Sequence, residues 1–312
     1  MEINIVYSAN TKYCKLMAVA ILSLFETNKH INNINVTCLL FSVDDSNKKR
    51  LYEIGEKYKR NINFIDVDYY CEKYRFWEKE EDSRYVRLLL PIILDNLDLV
   101  LYMDCDTMIR KDLTSLFKID ISTYYHASAL DTTRLNQRKE SHIQDYNRYF
   151  NSGVMLINLK KWRLDNLIEK FKDFKRINNN KGTFRDQRVL NGTTADNFYI
   201  LPPIYNSIPE LFRFSRKQII NLAGIETFYN NEEIQQACND PVIVHFAGRS
   251  IDRPWFTNCK HPFCNEYRKF MSLTNYTSFN LCHDTFTNII KWKIKKHLPF
   301  ILIKLFILLK QK

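Results

Sequence analysis

Leu99-Val-Leu-Tyr-Met-Asp-Cys-Asp106 is an apolar run that ends in two carboxylates one residue apart, and it indicates both a fold class and a kind of site. A buried strand that ends in this way places both acids at the carboxyl edge of an open α/β sheet, where such sheets bind their ligands. Neighbouring carboxylates repel each other. A hard divalent cation removes this repulsion and keeps coordination positions open for phosphate oxygens. Asp104 and Asp106 therefore predict a metal site that binds a nucleotide diphosphate.

The segments before this run alternate between strand and helix patterns. Repeated strand-helix-strand units form a parallel sheet that helices cover. We therefore expect an α/β protein whose Rossmann-like, mostly parallel central sheet is flanked by helices, with the acid pair near its centre. The predicted strands are Ile3–Ser8, Ile34–Ser42, Ile62–Val67 and Leu99–Met103. The predicted helices are Tyr13–Thr27, a helix that Asp44, Asp45 or Ser46 caps and that continues through Ile54, and Tyr85–Leu94 despite Pro91.

Length and composition limit the organisation of the chain. Its 312 residues, 45% of them hydrophobic, are enough for one main domain and a smaller appendage, and we place the boundary between residues 1–260 and 261–312. Only 6 glycines are present, which argues against a glycine-rich phosphate loop. A phosphate site is therefore expected to depend on metal and on lysine or arginine.

The C-terminal segment Ile289–Lys312 concentrates much of the basic charge of a chain whose net charge is +11. Four lysines surround Trp292, and an apolar run interrupted by Lys304 follows. This run is too short to span a bilayer, but the pattern is typical of a helix that lies in the headgroup layer of an anionic membrane. We expect a small helical extension that binds the membrane. The alternative is a helix packed on the domain, and binding to nucleic acid is not expected because stacking aromatics are not interleaved with the charge.

The N-terminus and the cysteines indicate the compartment. No pattern of a signal peptide precedes Ile3, and the eight cysteines are scattered without metal-binding pairs. These features predict a cytoplasmic protein with reduced cysteines. Together with the tail they predict a peripheral location on the inner face of the cytoplasmic membrane.

Three further clusters carry polar residues in apolar surroundings. Asn151-Ser-Gly153 is expected to form a tight turn that leads into a buried strand, and Phe184–Gly192 is a polar start to a helix. Pro241–Gly248 is a strand that delivers His245 into a loop. That loop carries the two arginines Arg249 and Arg253.

In this order the motifs resemble glycosyltransferase family 8, retaining enzymes that use sugar nucleotides. The resemblance covers about residues 1 to 260. The motifs that carry it are Tyr85-Val-Arg87-Leu, Leu101-Tyr-Met-Asp-Cys-Asp106, Phe150-Asn-Ser-Gly-Val-Met-Leu-Ile-Asn-Leu159, Asp186-Gln187, His245-Phe-Ala-Gly248 and Pro254-Trp255. The resemblance implies a GT-A fold, a UDP-sugar donor carrying glucose or galactose, and Mn²⁺, with Mg²⁺ possible, held by Asp104, Asp106 and His245. It also implies a saccharide acceptor such as lipopolysaccharide or another lipid-linked glycan.

The same resemblance implies roles for the remaining candidate residues. Gln187 and Asp186 are the catalytic candidates, with Gln187 on the face of the sugar opposite the leaving group. An amide is a poor nucleophile, so a same-face substitution is expected rather than a double displacement. Arg253 stands where the family usually has lysine, and Lys12 departs from the family pattern. The implied donor-sugar residues are Arg87, Asp131, Asn151, Asp186 and Gln187. The implied nucleotide and diphosphate residues are Ser8, Ala9, Asn10, Tyr13, Asp104, Cys105, Gly248 and Arg253.

Two other classes of function stay open at this stage. Asp104-Cys-Asp106-Thr107 matches the phosphatases of the haloacid dehalogenase type, in which the first acid is the nucleophile. The later lysine and acidic motif of that class are not evident. A non-enzymatic, membrane-bound interaction protein would depend on the basic tail alone. Taken singly, the acid pair and Asp186 could also be helix or turn caps, and His245 a core histidine.

Overall fold

The computed structural model describes residues 2–74, 83–178, 186–276 and 281–283, and a seven-stranded sheet forms its centre. The strands are β1 (Glu2–Asn10), β2 (Asn33–Phe41), β3 (Ile62–Asp66), β4 (Leu99–Met103), β5 (Thr107–Ile109), β6 (His126–Leu130), β7 (Phe150–Asn158), β8 (Tyr199–Ile200) and β9 (Ile243–His245). The order in the large sheet is β3-β2-β1-β4-β7-β6-β8, and β5 and β9 form a second, two-stranded sheet. β4 is the middle strand of the seven, so the acid pair that follows it lies at the centre of the sheet, as predicted.

Helices connect these strands and cover the sheet. The α-helices are α1 (Cys14–Thr27), α2 (Asp45–Tyr58), α3 (Asp68–Tyr74), α4 (Leu90–Ile93), α5 (Thr114–Phe117), α6 (Leu135–Lys139), α7 (Leu159–Leu164), α8 (Leu167–Ile177), α9 (Asp186–Thr194), α10 (Pro209–Arg213), α11 (Arg216–Ala223), α12 (Asn231–Asn239) and α13 (Cys264–Ser272). Short 3-10 helices span Ser83–Leu89, Tyr146–Arg148, Pro203–Tyr205 and Ser250–Asp252. Asp44 caps α2 by accepting a hydrogen bond from the Asn47 backbone N–H, which confirms one of the predicted caps.

The sheet is mostly parallel. β1, β2, β3 and β4 pair in parallel, and so do β6 and β8. β7 runs antiparallel to both of its neighbours, β4 and β6. The α/β class and the Rossmann-like, mostly parallel sheet that the first hundred residues predicted are therefore confirmed, and the reversal at β7 is a feature that their pattern did not contain.

The prediction of a tight turn at Asn151-Ser-Gly153 is wrong. These residues lie inside β7, which is buried over Phe150–Ile157 and pairs with β4 over residues 154–158. The Asp104 backbone N–H continues this pairing by donating to the Gly153 carbonyl at 2.8 Å. Tertiary pairing with the central strand decides the conformation here, although asparagine and glycine favour turns locally.

The helix predicted over Tyr85–Leu94 is present in two parts. It is a 3-10 helix up to Leu89 and an α-helix only over Leu90–Ile93. Pro91 lies in the first turn of α4, where its missing N–H costs no intrahelical hydrogen bond. The tighter winding before the proline carries Arg87 towards the sheet edge.

Apolar side chains cover both faces of the sheet. Ile3, Ile5 and Tyr7 of β1 belong to one buried cluster, with almost the whole of α1, and Val6 belongs to the cluster on the opposite face. A strand buried on both faces is what a central parallel strand requires. All eight cysteines are free, consistent with the reduced state predicted for them.

The chain beyond residue 260 packs in part on the same core. Tyr267 of α13 is fully buried, and the Tyr276 hydroxyl donates to the Asn47 side chain at 2.9 Å. The basic tail lies outside the described residues, so the membrane anchor, the packed helix and the boundary at 260 stay predictions. No helix within the described ranges has the length and apolarity that a bilayer crossing needs.

Candidate active site

The register of the small sheet brings His245 to the acid pair. β5 begins directly after Asp106, and its first residue, Thr107, lies opposite His245 at the end of β9. The Phe246 backbone N–H donates to the Asp106 carbonyl at 2.8 Å, which extends this pairing. His245 Nε2 consequently lies 3.2 Å from Asp106 Oδ1 and 3.8 Å from Asp104 Oδ2.

These three side chains offer a donor set that suits a divalent cation. One atom from each, two carboxylate oxygens and one imidazole nitrogen, lies within 4.8 Å of the other two. The mixture of carboxylate and imidazole is compatible with Mn²⁺ and with Mg²⁺. Burial alone would lower the pKa of His245, but Asp106 and Asp104 raise it above its ordinary value. Burial opposes ionisation of Asp106, and His245 and Arg253 outweigh it and hold the pKa of that carboxyl below its usual range.

The other ring nitrogen of His245 is occupied by a buried amide. Nδ1 lies 3.0 Å from Asn206 Oδ1, and the Asn206 amide group donates to Asn151 Oδ1 at 2.9 Å. Because the amide NH₂ is committed to Asn151, its oxygen faces His245 and accepts the Nδ1 proton. Nε2 of the neutral ring then carries the lone pair towards the acids, the orientation that metal-binding histidines usually have.

Gly153 leaves the space that the histidine ring occupies. A Cβ atom at this position would overlap with Cε1 of His245 and lie 2.8 Å from its Nδ1. Glycine is needed here for close approach and not for a positive φ, because Gly153 lies within a regular strand. Any side chain at residue 153 would displace the ring from the acid pair.

Arg87 joins the acid pair to the start of α9. Its Nη2 lies 2.7 Å from Asp104 Oδ1, and its Nε lies 2.7 Å from Asp186 Oδ2. The guanidinium also donates to the Ser152 carbonyl and lies 4.4 Å from the centre of the Tyr102 ring. Burial by itself would lower the pKa of Arg87, but the two aspartates outweigh burial and raise it. The buried charge is thus fully compensated.

Gln187 is held at both ends of its amide. Ser152 donates to Gln187 Oε1 from its backbone N–H at 3.1 Å and from its hydroxyl at 3.2 Å, and Gln187 Nε2 donates to Asp131 Oδ2 at 3.2 Å. The Asn151 amide donates to the same Asp131 oxygen at 2.6 Å. Thr133 donates twice to the other oxygen. Asp131 therefore accepts four hydrogen bonds and orients both amides.

These contacts form one closed chain, which we call the polar network. Starting at the acid pair, it runs from Asp104 through His245, Asn206, Asn151, Asp131, Gln187, Ser152 and Arg87 back to Asp104. The metal-type cluster and the predicted sugar residues are thus parts of a single structure. A change in any member has a path of direct contacts to the others.

The residues predicted to contact the nucleotide gather where β1 ends, beside the acid pair. The Cys105 thiol donates to the Ser8 carbonyl at 3.1 Å, and the Ser8 hydroxyl lies 2.6 Å from that of Tyr102. Ala9 is buried, and the Asn10 side chain accepts a hydrogen bond from the Lys12 backbone N–H. The Tyr13 ring is 44% exposed, and partial burial together with Asp106 raises the pKa of its hydroxyl.

The loop after β9 brings the half-buried Arg253 towards the edge of the sheet that carries the acid pair. Gly248 has a φ of +102°, a left-handed conformation that favours glycine, and it turns the chain after Phe246. Arg253 Nε is buried and has no hydrogen-bond partner among the described residues, and its guanidinium lies 5.7 Å from the Trp255 ring. A buried donor without a partner, close enough to Asp106 to help lower the pKa of that carboxyl, is suited to bind an anion at this edge.

A family model described as Glycosyl transferase family 8 matches residues 4–259 of this chain. The chain belongs to this family. General stress protein A of Bacillus subtilis (strain 168) is 27% identical over 282 residues, which are 88% of this chain and 95% of that protein. A lipopolysaccharide 1,2-glucosyltransferase of Escherichia coli is 26% identical over 283 residues, which are 87% of this chain and 78% of that protein.

Solved structures of other glycosyltransferases have the same fold as this family 8 chain. The galactosyltransferase LgtC, crystallised in complex with donor and acceptor sugar analogs, superposes with a TM-score of 0.70 at 21% identity, over 88% of this chain and 97% of LgtC. The WbbM bifunctional glycosyltransferase superposes with a TM-score of 0.73 at 18% identity, over 88% of this chain and 50% of WbbM. The chain therefore has the GT-A fold that the motifs implied, and its place in family 8 is confirmed.

The site of this family 8 chain contains residues to which the sequence motifs assigned no role. Asn206 and Ser152 carry two of its links, and Tyr102 lies under Arg87. Asn206 follows the 3-10 helix Pro203–Tyr205 and has no local pattern that separates it from a loop asparagine. Its burial, at 2% exposure, and its contact with His245 are consequences of the tertiary structure.

Proposed function

We propose that this protein is a retaining hexosyltransferase that moves glucose or galactose from a UDP-sugar to a saccharide acceptor, with lipopolysaccharide or another lipid-linked glycan as the acceptor class. The polar network carries the proposal, because it connects a metal-type cluster for the diphosphate with the amide and carboxylate groups expected around the sugar. The similarity to the E. coli lipopolysaccharide 1,2-glucosyltransferase and to the galactosyltransferase LgtC supports the donor and acceptor classes.

Asp104, Asp106 and His245 are the residues that would hold Mn²⁺, with Mg²⁺ as the other candidate. A bound divalent ion neutralises negative charge that develops on the leaving diphosphate. Arg253 would contribute a second, fixed cation, since its Nε is a buried donor without a partner among the described residues. A guanidinium offers phosphate a planar fork where the lysine usual in the family offers a point charge.

The residues of the sugar side supply orientation. Arg87 binds Asp104 and Asp186 through two different nitrogen atoms, so both carboxylates keep one position while the donor binds. Asp131 orients Asn151 and Gln187 through hydrogen bonds that fix which end of each amide faces which neighbour. Groups that are preorganised in this way stabilise developing charge without reorganising during the reaction.

The chemistry of Gln187 favours retention by same-face substitution. Its amide is a weak nucleophile and is bound at both ends. The carboxylates linked to it are also engaged, Asp186 with Arg87 and Asp131 with four donors. A double displacement needs a carboxylate free to attack the anomeric carbon, as in retaining glycosidases. An oxocarbenium-like pair that collapses on the same face fits these residues better.

The alternative classes have less support. A phosphatase of the haloacid dehalogenase type would use Asp104 as a nucleophile, whereas here Asp104 pairs with Arg87 inside a family 8 fold. We also propose a cytoplasmic, peripheral location on the inner face of the cytoplasmic membrane, which rests on the composition of Ile289–Lys312. An interaction protein without catalysis would leave the polar network without a role.

A donor screen tests the proposal. UDP release is measured with UDP-glucose, UDP-galactose and their N-acetylated counterparts, with Mn²⁺ and without it. We expect release from one hexose donor, and a loss of at least about 100-fold in Asp106→Asn, in line with the loss of one group that stabilises the charged transition state. Asp120→Asn, which removes an exposed carboxylate elsewhere, is the matched control. Absence of turnover and of binding with every nucleotide sugar would contradict the proposal.

A further inference from the structure

Arg138 of α6 is fully buried, and its guanidinium binds only main-chain oxygen atoms. Nη2 donates to the Asp131 carbonyl at 2.5 Å, Nε donates to the Thr133 carbonyl at 2.6 Å, and Nη1 donates to the Tyr146 carbonyl. Arginine is almost never fully buried unless its charge and its donors are satisfied. One side chain therefore holds together three backbone positions that come from both ends of the same segment.

Asp131 joins these contacts to the polar network. Its carbonyl accepts from Arg138, and its backbone N–H donates to the Tyr149 carbonyl at 2.9 Å. Its carboxylate Oδ2 accepts from Asn151 at 2.6 Å and from Gln187 at 3.2 Å. The direction of the carboxylate consequently depends on a peptide unit that Arg138 fixes.

The burial of Arg138 is satisfied by carbonyl oxygens rather than by an acid in direct contact. The part of the chain that the structure describes gives this side chain no ion pair. Burial lowers its pKa to about 10, and the nearby carboxylate of Asp131 opposes that change. The guanidinium is therefore charged at neutral pH, and its planar set of N–H groups is what the three carbonyls require. A lysine ammonium would keep the charge but lose this planar geometry.

We propose that Arg138 is a positioning residue for the sugar side of the site, because it fixes the Asp131 main chain and through it the direction of the Asp131 carboxylate and the Gln187 amide. This inference rests on the proposed function, in which Asp131 and Gln187 face the donor sugar. Arg138 is fully buried and acts through Asp131. Preorganised groups stabilise a transition state only while their positions are maintained.

Arg148 provides a matched comparison for this role. It is half-buried, and its Nε and Nη2 donate to the carbonyls of Ala195 and Phe198, each at 2.8 Å. Its guanidinium lies 4.7 Å from the centre of the Phe198 ring, much as that of Arg138 lies 5.2 Å from the centre of the Tyr149 ring. The two arginines thus have the same kinds of contact, but the carbonyls that Arg148 binds belong to residues outside the polar network.

The test separates catalysis from nucleotide binding in the full chain. The rate of UDP release gives kcat, and titration with UDP and Mn²⁺ gives the Kd for the nucleotide. We expect Arg138→Met to lower kcat at least about tenfold, because a small displacement of positioned groups costs a large factor in rate. The Kd for UDP is expected to stay within about twofold of the wild-type value, as for a group that acts on the transition state alone. Arg148→Met is expected to keep the wild-type kcat. An unchanged kcat in Arg138→Met, or an equal loss in both variants, overturns the proposal.

Arg138→Lys covers the case in which Arg138→Met does not fold. It keeps the buried positive charge and removes the planar set of donors, so it separates the two contributions of the guanidinium. We expect this variant to fold and still to show the lower kcat. Arg148→Lys is its matched control. A wild-type kcat in Arg138→Lys overturns the role of the hydrogen bonds to the carbonyls.

A measurement without donor separates this inference from the proposed function. The side-chain amide of Gln187 donates to Asp131, and its NMR resonances are identified by their loss in Gln187→Ala. We expect these resonances to shift in Arg138→Lys and to stay in place in Arg148→Lys. If they shift but the wild-type protein turns over no nucleotide sugar, the proposed function fails while the positioning of Asp131 stands. If a UDP-sugar is turned over and neither the resonances nor kcat respond to the change at Arg138, the transferase stands and this inference fails.

Discussion

Gly153 contributes to the site because it has no side chain. The ring of His245 occupies the space where a Cβ would be, so the distance between the histidine and the acid pair depends on a residue in a different sheet. The requirement comes from packing, because the backbone of β7 at this point is regular. Gly153 is therefore needed for the metal-type cluster, because it leaves the space that the His245 ring occupies.

We predict that Gly153→Ala weakens Mn²⁺ binding by at least about tenfold, since it displaces a ligand and disturbs its orientation. Overpacking would also destabilise the protein by about 1–3 kcal/mol. Titration of the variant with Mn²⁺ measures the first effect and thermal unfolding the second. Gly192→Ala is the control: its Cβ would lie 2.7 Å from the Ser141 carbonyl and crowd Phe174, away from the site. Equal loss of metal affinity in both variants would contradict the prediction.

Asn206 connects His245 to Asn151. It accepts from His245 and donates to Asn151, so it determines which tautomer the histidine adopts. The orientation of a metal ligand commonly depends on such a partner. Asn206 is accordingly a positioning residue, with no expected contact to the donor.

For Asn206→Ala we predict a Kd for Mn²⁺ about 10–100-fold higher, the usual cost of losing a hydrogen bond to a metal-binding histidine. Asn197→Ala, which removes a half-buried asparagine whose side chain donates one hydrogen bond to the Thr123 carbonyl, is the matched control. Calorimetric titration of both variants at one pH is the measurement. If the two variants bind Mn²⁺ equally well, Asn206 does not orient His245.

At the scale of elements, β6 carries a buried histidine that contributes to stability and not to the site. His126 is fully buried between Phe150 and Phe198, and its ring nitrogens lie 2.9 Å from the Ser128 hydroxyl and 3.0 Å from that of Thr194. Burial lowers the pKa of His126 to about 3. The folded protein therefore keeps this ring neutral where an unfolded chain would protonate it.

The depressed pKa predicts loss of stability in acid. Between the folded pKa, about 3, and the unfolded value near 6.5, the unfolded state binds more protons, so stability falls as the pH is lowered through this window. From pH 7 to pH 5 the contribution of His126 is about 2 kcal/mol. Chemical unfolding at both pH values measures it. His126→Gln should show a smaller difference between pH 7 and pH 5, and an unchanged difference would refute the assignment.

Elements differed in how well their sequence predicted them. The strand Leu99–Met103 and the parallel strands before it were predictable because each is a continuous apolar run between turn residues. Asn151-Ser-Gly153 was predicted as a turn from its local propensity. It lies instead inside β7, whose residues 154–158 pair with β4 and whose Gly153 carbonyl accepts the Asp104 backbone N–H. Local preference amounts to tenths of a kcal/mol per residue, whereas a central strand forms hydrogen bonds on both sides.

At the scale of the whole molecule, the candidate site couples metal binding to folding. Asp104 and Asp106 lie between β4 and β5, whereas His245 lies far along the chain in β9, so the three donor atoms meet only when both sheets form. A ligand that binds only the folded state stabilises it in proportion to the logarithm of its concentration. Metal binding is therefore expected to stabilise the entire domain.

Saturation with Mn²⁺ at 100 times its Kd is predicted to add about 2.7 kcal/mol to the free energy of unfolding and to raise Tm by several degrees. Excess EDTA should reverse this shift and abolish UDP release. Differential scanning calorimetry with and without the metal is the measurement. Asp106→Asn should lose most of the shift, whereas Asp120→Asn should retain it. A Tm that does not respond to Mn²⁺ would rule out a site in the folded protein.

Family, fold class and the acid pair followed from local patterns in the chain. Asp104, Asp106 and His245 lie next to apolar strands, and they belong to an ordered set of motifs whose resemblance to glycosyltransferase family 8 is confirmed by the family model. Such information is local because burial of a strand imposes an apolar pattern on consecutive residues. The motif at the end of a strand then marks the ligand edge of the sheet.

Only the tertiary structure shows which contacts connect the residues of the site. The antiparallel reversal at β7, the link through Asn206 and the ion pair between Arg213 and Asp252 each depend on contacts between segments that lie far apart in the chain. A single polar residue in a loop has no periodicity, so no local signal shows whether it is buried or which group it faces. Distances of about 3 Å between such residues are set by the packing of the whole domain, which is why the polar network is seen only in the tertiary structure.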